Sequence, residues 1–191
     1  RLVSDWSSDV CSSDLGMVGA VEDLSTVVGQ AWQGAGNSIY LLGVPISQIA
    51  TNAETVTLGA SEYLAQVHDT IAGKPPQVDF DLEKAVQAVC REGIRAGVIR
   101  SAHDSAEGGL VVALAECAIA ANQGAAITSD AAEGSRLDTV LFAEGGARII
   151  VTVAADQATA WEATLTDKLP NRWRSEERRG GEECRSRWSP Y

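Results

Sequence analysis

Ile99-Arg100-Ser101-Ala102-His103-Asp104-Ser105-Ala106-Glu107-Gly108-Gly109-Leu110 decides how this chain folds. A short apolar run passes through a polar turn into the longest apolar helical pattern in the sequence. Strand-to-helix turns of this kind place side chains at the carboxyl end of a strand, where open α/β sheets bind ligands. Gly108 and Gly109 allow a tight turn and a helix start pressed close to the sheet. Free N–H groups at such a start can hold an anion. Asp104 and Glu107 share the turn, and two carboxylates suit a hard cation such as Mg²⁺, or a metal-bridged nucleotide, better than bare phosphate. The same residues also fit a plainer role, with Asp104 or Ser105 capping the helix and Glu107 favourable at its positive end.

On either side of this turn the pattern alternates strands and helices. Ser38 to Gly43 is a continuous apolar strand, consistent with burial on both faces. Ser61 can cap a helix carrying Tyr63, Leu64, Val67 and Ile71, ended by Gly73-Lys74-Pro75-Pro76. His68 falls on its polar side and receives no role. Asp81 to Ala96 has the 3.6-residue period of an amphipathic helix, closed by Gly97. Val98 to His103 feeds the central turn. Leu110 to Ala121 is apolar all round except Glu116, which predicts a sandwiched helix whose one acid must find a partner. Ala125–Thr128 reads as a short strand and Ser129–Arg136 as a polar loop. Leu137–Glu144 reads as a short helix or turn, and Arg148–Val153 as a β-branched strand. Asp156 caps a closing helix that runs to Leu169. The predicted class is α+β, a three-layer mixed sheet of four or five strands covered by helices.

The ends differ from the middle. Residues 1–15 and 171–191 lack periodicity, and neither is expected to contribute to a core; both are set aside as non-native leader and tail. Gly16 to Leu24 reads as an apolar strand ending in acids, and residues 16–34 as the tail of a preceding domain. Gln33-Gly34-Ala35-Gly36-Asn37 marks the boundary to a domain over 35–170. The 191 residues carry 26 acidic and 15 basic side chains, a net charge of −11. With no basic stripe, nucleic-acid binding is not expected. No apolar run reaches the roughly 20 residues of a membrane helix. Of the four cysteines, Cys90 and Cys117 fall in helical apolar patterns and read as small buried hydrophobes, with no zinc spacing. A reducing, cytoplasmic setting fits.

Six segments carry a resemblance: Gly16-Met17-Val18-Gly19, Ile39-Tyr40-Leu41-Leu42-Gly43, Gly59-Ala60-Ser61-Glu62-Tyr63, Gly73-Lys74-Pro75-Pro76, Ser101 to Leu110, and Leu141-Phe142-Ala143-Glu144. In this order they resemble the last portion of the phosphoribosylformylglycinamidine synthase family, with a C-terminal domain like that of aminoimidazole ribonucleotide synthetase. The resemblance implies an ATP- and Mg²⁺-dependent C–N ligase of purine biosynthesis, in which formylglycinamide ribonucleotide is activated by phosphorylation and aminated by glutamine-derived ammonia. The family enzyme is internally duplicated. Its better-established catalytic groups lie in the first half and in a Gly-Gly-Asn-Val-Ser segment upstream of this region, so no catalytic residue is assigned here. By position, Asp104 corresponds to a Mg²⁺ ligand of the first-half copy. Ser61, Asp104, Glu107, Gly108, Gly109 and Glu144 make up the implied second-copy nucleotide or substrate site.

Where the first copy has a Glu-Ser-Gln segment that contacts substrate, this chain has Glu144-Gly145-Gly146. Loss of the hydroxyl and amide favours a structural half or a vestigial nucleotide site. With no glutaminase-like Cys/His pair, the small-subunit form is expected, with separate glutaminase and bridging subunits as partners and an isolated fragment that does not turn over. The alternatives are another ATP-using relative of aminoimidazole ribonucleotide synthetase, selenophosphate synthetase or hydrogenase-maturation type, and a non-catalytic interaction domain.

Overall fold

In this computed structural model, residues 19–21, 23–125, 127 and 135–176 are described. Strand β1 (Ser38–Leu42) is the centre of the fold. Its apolar run Ile39-Tyr40-Leu41-Leu42 is buried on both faces, as the absence of alternation predicts. On one side β1 pairs antiparallel with β5 (Ile149–Val153), and β5 pairs antiparallel with β3 (Ile99–Asp104). On its other side it pairs antiparallel with β6 (Trp173–Glu176), giving the sheet order β3-β5-β1-β6. A two-stranded antiparallel piece joins β2 (Val56–Thr57) to β4 (Glu144–Gly145).

The α+β class holds, but the pairings among the described residues are antiparallel throughout. The neighbours β3–β5, β5–β1 and β1–β6 are each separated by helices in sequence, yet each pair runs antiparallel, so the alternation of elements does not bring a parallel crossover with it. In β3 the register to β5 shifts between Ile99 and Ser101, a bulge at Arg100. Just beyond it, Ser101 Oγ and Thr152 Oγ1 hydrogen-bond at 2.6 Å across two buried positions.

Helix α2 (Phe80–Arg95) buries Leu82, Val86, Val89 and Cys90, the face its period marked, and Asp79 caps it. At Gly93 it comes so close to Ile99 and Trp161 that a Cβ there would sit 2.7 Å and 2.8 Å from their side chains. Trp161 belongs to α5 (Ala158–Lys168), which starts at Gln157 without a side-chain cap. Asp156 lies instead in a preceding 3₁₀ turn, so the cap assigned to it is not formed.

Helix α1 (Glu62–His68) is capped by Ser61, whose Oγ accepts from Leu64 N at 3.4 Å. It ends earlier than expected, because Asp69 takes the left-handed conformation (φ 48°) and Thr70 N bonds back to Leu64 O. Ile71 is therefore off the helix and 89% exposed. Gly73 serves another purpose: it crosses Gly59 so tightly that a Cβ on Gly59 would lie 2.2 Å from Lys74 O.

Helix α3 (Gly109–Ala121) buries Gly109, Leu110, Ala113 and Cys117 and packs against α4 (Leu137–Phe142). It is not sandwiched among the described residues, since Ile119 on its far side is 78% exposed. Small alanines give it an apolar composition without a second packed face. Its acid, Glu116, does find a partner: Oε2 lies 2.7 Å from His103 Nε2.

Of the expected strands at 16–24 and 125–128, residues 16–18, 22, 126 and 128 lie outside the described residues, and residues 125 and 127 are not strand. Residues 19–21 are not strand, and Leu24–Thr26 form a 3₁₀ turn capped by Asp23. In contrast, residues 173–176, placed in the tail set aside from the sequence, join the sheet. An open strand edge accepts any extended backbone, and Trp173 adds a ring contact to Tyr40 with centroids 6.1 Å apart. No helix among the described residues is long and apolar enough to cross a membrane.

Candidate functional site

The turn after β3, the β4–β5 connection and the first turns of α2 enclose a cleft of about 450 Å³. Asp104, Ser105, Ala106 and Glu107 form one wall, and Glu144, Gly145, Ala147, Arg148 and Ile149 another. Glu83 and Gln87 of α2 close the third.

Glu144 ties the site together. Its Oε1 accepts from Gly108 N at 2.8 Å and from Glu62 N at 2.9 Å, so one carboxylate oxygen serves the starts of α3 and α1. Each helix start leaves backbone donors without intrahelical partners and carries a partial positive charge, so a shared carboxylate stabilises both. The capping expected from Asp104 or Ser105 does not occur. Gly108 is the N-cap of α3, with no side-chain cap bond from its own turn. The anion that the free N–H attracts is supplied internally, from β4.

The glycine pair makes this possible. Gly108 and Gly109 have φ 79° and 73°, a region costly for residues with a Cβ. A Cβ on Gly109 would also lie 2.6 Å from the Phe142 carbonyl carbon, at the end of α4. Beside this contact, the ring of Phe142 stacks on Tyr63 at 4.4 Å between centroids, and His68 meets Tyr63 edge-on.

The six expected site residues thus divide. Asp104, Glu107 and Glu144 line the cleft. Gly108 is joined to it through Glu144, while Ser61 and Gly109 act in packing and capping just outside. Asp104 is open to solvent, its side chain 71% exposed, with Oδ1 3.5 Å from His103 Nδ1. Among the described residues no three His, Cys, Asp or Glu side chains come together as a metal site.

Arg148 and Ser105 stand outside the set expected from the sequence. Arg148 is 3% exposed; its Nε donates to Gly145 O at 3.0 Å and its Nη2 donates to Ala143 O. Burial pulls its guanidinium down to about 10, partly offset by the Glu144 carboxylate, so it stays a cation at neutral pH. A basic residue heading a β-branched strand looks like a surface position, and only the β3–β5 pairing reveals it as internal.

The chain matches the model of the AIR synthase related protein, C-terminal domain, over residues 34–170. It is 58% identical over 159 residues to the phosphoribosylformylglycinamidine synthase subunit PurL of a Cyanothece strain, and 56% identical over 160 residues to that of Nostoc punctiforme. Each match covers 83% of this chain and 20% of the relative, so the chain spans about a fifth of their length. Among solved structures, PurLQS from Thermotoga maritima shares the fold with a TM-score of 0.58 at 17% identity, over 83% of this chain and 24% of that one. PurL of T. maritima has also been solved complexed with ATP (TM-score 0.55, 17% identity) and with FGAR (0.54, 18%), each over 81% of this chain and 23% and 25% of those chains.

Proposed function

Since the chain belongs to the AIR synthase related family through its C-terminal domain, and its PurL relatives are phosphoribosylformylglycinamidine synthase subunits, we propose that it works as one domain of that ligase. The whole enzyme converts formylglycinamide ribonucleotide, ATP and ammonia to the amidine, in the cytoplasm. Glutaminase and small bridging subunits deliver the nitrogen. The observation that carries this reading is the 58% identity to a PurL subunit across 83% of the chain. The domain span 35–170, with 16–34 belonging to a preceding ATP-binding-type domain, is part of the same proposal.

The part this domain plays is mainly structural. Glu144, positioned like a substrate-contacting residue of the first-half copy, spends one carboxylate oxygen on two backbone N–H groups. Asp104 and Glu107 keep free access to the cleft and are the groups that would meet Mg²⁺ carried on ATP phosphates. The metal would neutralise phosphate charge there, while the chain's own contribution is to hold the two carboxylates at the wall. The fragment by itself, lacking the first-half groups, turns over nothing.

Grafting residues 19–176 in place of the matching fifth of the Cyanothece subunit tests the proposal. With ammonium as nitrogen donor, the graft should form formylglycinamidine ribonucleotide within about tenfold of the parent rate, the scatter expected for homologous domain contacts. A folded graft with no ATP-dependent product would overturn it.

A further inference from the structure

A segment on the outer edge of the sheet has no role in the ligase reading. β3 is an edge strand, and its Ala102 N–H donates away from β5, to Gly29 O at 3.1 Å. Gly29 belongs to residues 27–33, which precede β1 and reach β3 at this point. Of these residues only Trp32 is buried: it is 6% exposed and part of the apolar core, while Val27, Gly29, Gln30 and Gln33 are exposed. Trp32 Nε1 is buried without a hydrogen-bond partner among the described residues. Gly34 and Gly36 follow at φ 74° and 86°, with nothing within 4 Å of where a Cβ would stand, so these glycines serve a turn and not a close approach. Ordering such a segment costs backbone entropy, and an unpartnered buried donor adds to that cost. Burial of one indole and the Gly29–Ala102 bond offset it. Segments with few buried side chains and exposed backbone open at lower free energy than the sheet they lie on.

We infer that residues 27–33 are a releasable strap, plugged into the core by Trp32 and clipped to the edge of β3 by Gly29, which detaches as a unit while the sheet stays folded. Ala102 stands two residues before Asp104, where the cleft wall begins. Docked, the strap holds the end of β3 and with it the Asp104–Glu107 wall; released, it frees that wall. A displacement of the chain ahead of the strap is passed in this way to the cleft. The inference goes beyond the ligase reading, and the two fail separately: docking and release are measured on this chain alone and leave the grafting result untouched.

The decisive experiment is native-state hydrogen exchange of the full chain, followed amide by amide by NMR at rising sub-denaturing urea. The protection factor of the Ala102 amide should be lower than those of Tyr40 and Val151, paired at the centre of the sheet, by about tenfold or more. It should also depend weakly on urea, because a small opening exposes little surface. Trp32→Ala should abolish protection at Ala102 and shift the Asp104 and Glu107 amide resonances, while Tyr40 and Val151 stay protected. Ala102 exchanging only together with Tyr40 and Val151 in the unmodified chain would overturn the inference. So would Trp32→Ala leaving Ala102 protected, or leaving the Asp104 and Glu107 resonances where they were. A Trp32→Ala chain that does not fold would overturn it as well, since the sheet cannot depend on a strap that detaches alone.

Discussion

Glu144 and Gly108 lie 36 residues apart and are joined by a 2.8 Å hydrogen bond from the Gly108 N–H to the Glu144 carboxylate. The same oxygen takes the N–H of Glu62 at 2.9 Å, so β4 pins the first turns of α1 and α3 together. Replacing Glu144 by Ala removes a charged acceptor from two helix starts. A loss of about 2–3 kcal/mol in urea unfolding is expected, with Glu144→Gln costing about 1 kcal/mol because one oxygen acceptor remains. An Ala variant as stable as the parent would show that the bridge contributes nothing.

Gly109 and Gly97 separate strain from space. Both have positive φ, 73° and 69°, but a Cβ on Gly109 would lie 2.6 Å from the Phe142 carbonyl carbon, and one on Gly97 meets nothing within 4 Å. Gly97→Ala should cost about 1–2 kcal/mol, the left-handed backbone term alone. Gly109→Ala should cost more than about 3 kcal/mol, since α4 must move as well. Equal midpoints for the two variants would remove the close approach as a reason for the glycine.

Alkaline pH should loosen the core. Burial lifts the Cys117 thiol from 9.0 to about 11, with Glu116 adding to the shift, and lifts Tyr40 from 10.0 to about 12, with Glu162 adding to it. Both groups hold their protons more tightly folded than unfolded, so their contribution is complete below pH 9 and falls as pH rises through 11 and 12. With Cys11, Cys90 and Cys184 replaced by Ala, the Cys117 thiolate absorbance should therefore emerge near pH 11, and the urea midpoint should decline over the same interval. A thiolate signal complete near pH 9 in the folded chain would contradict this.

The His103–Glu116 pair, 2.7 Å apart, answers the demand for a partner to the one acid of α3, but Glu116 is half exposed. Solvent weakens such a pair, so Glu116→Gln should change stability by less than about 1 kcal/mol, read by thermal melting at low and high salt. A larger loss would mean that α3 depends on the pair rather than on its packing.

The sequence made the local features legible. Quoted as a strand, a turn and a helix, Ile99 to Leu110 folds as that, and Ser61 caps where a Ser before a periodic run predicts. Local spacing carries such information because caps, turns and amphipathic faces are settled within a few residues. What depended on distant partners was not legible. Glu144 replaced Asp104 and Ser105 as the cap of α3 because β4 brings a carboxylate in from elsewhere in the chain. Arg148 became internal because β3 lies beside its strand, and β6 joined the sheet because β1 offered an open edge. Antiparallel pairing likewise follows from which strands meet, which periodicity does not encode.

In the proposed reading, Glu144 joins the starts of α1 and α3 and makes no contact with substrate. The most direct test is Glu144→Gln in the grafted PurL subunit, measuring the unfolding midpoint together with KM for ATP and for formylglycinamide ribonucleotide. A lowered midpoint with both KM values within about twofold of the unmutated graft is expected, since a structural hydrogen bond contributes to stability and not to substrate affinity. An unchanged midpoint with either KM raised tenfold or more would place Glu144 on the substrate and contradict the account.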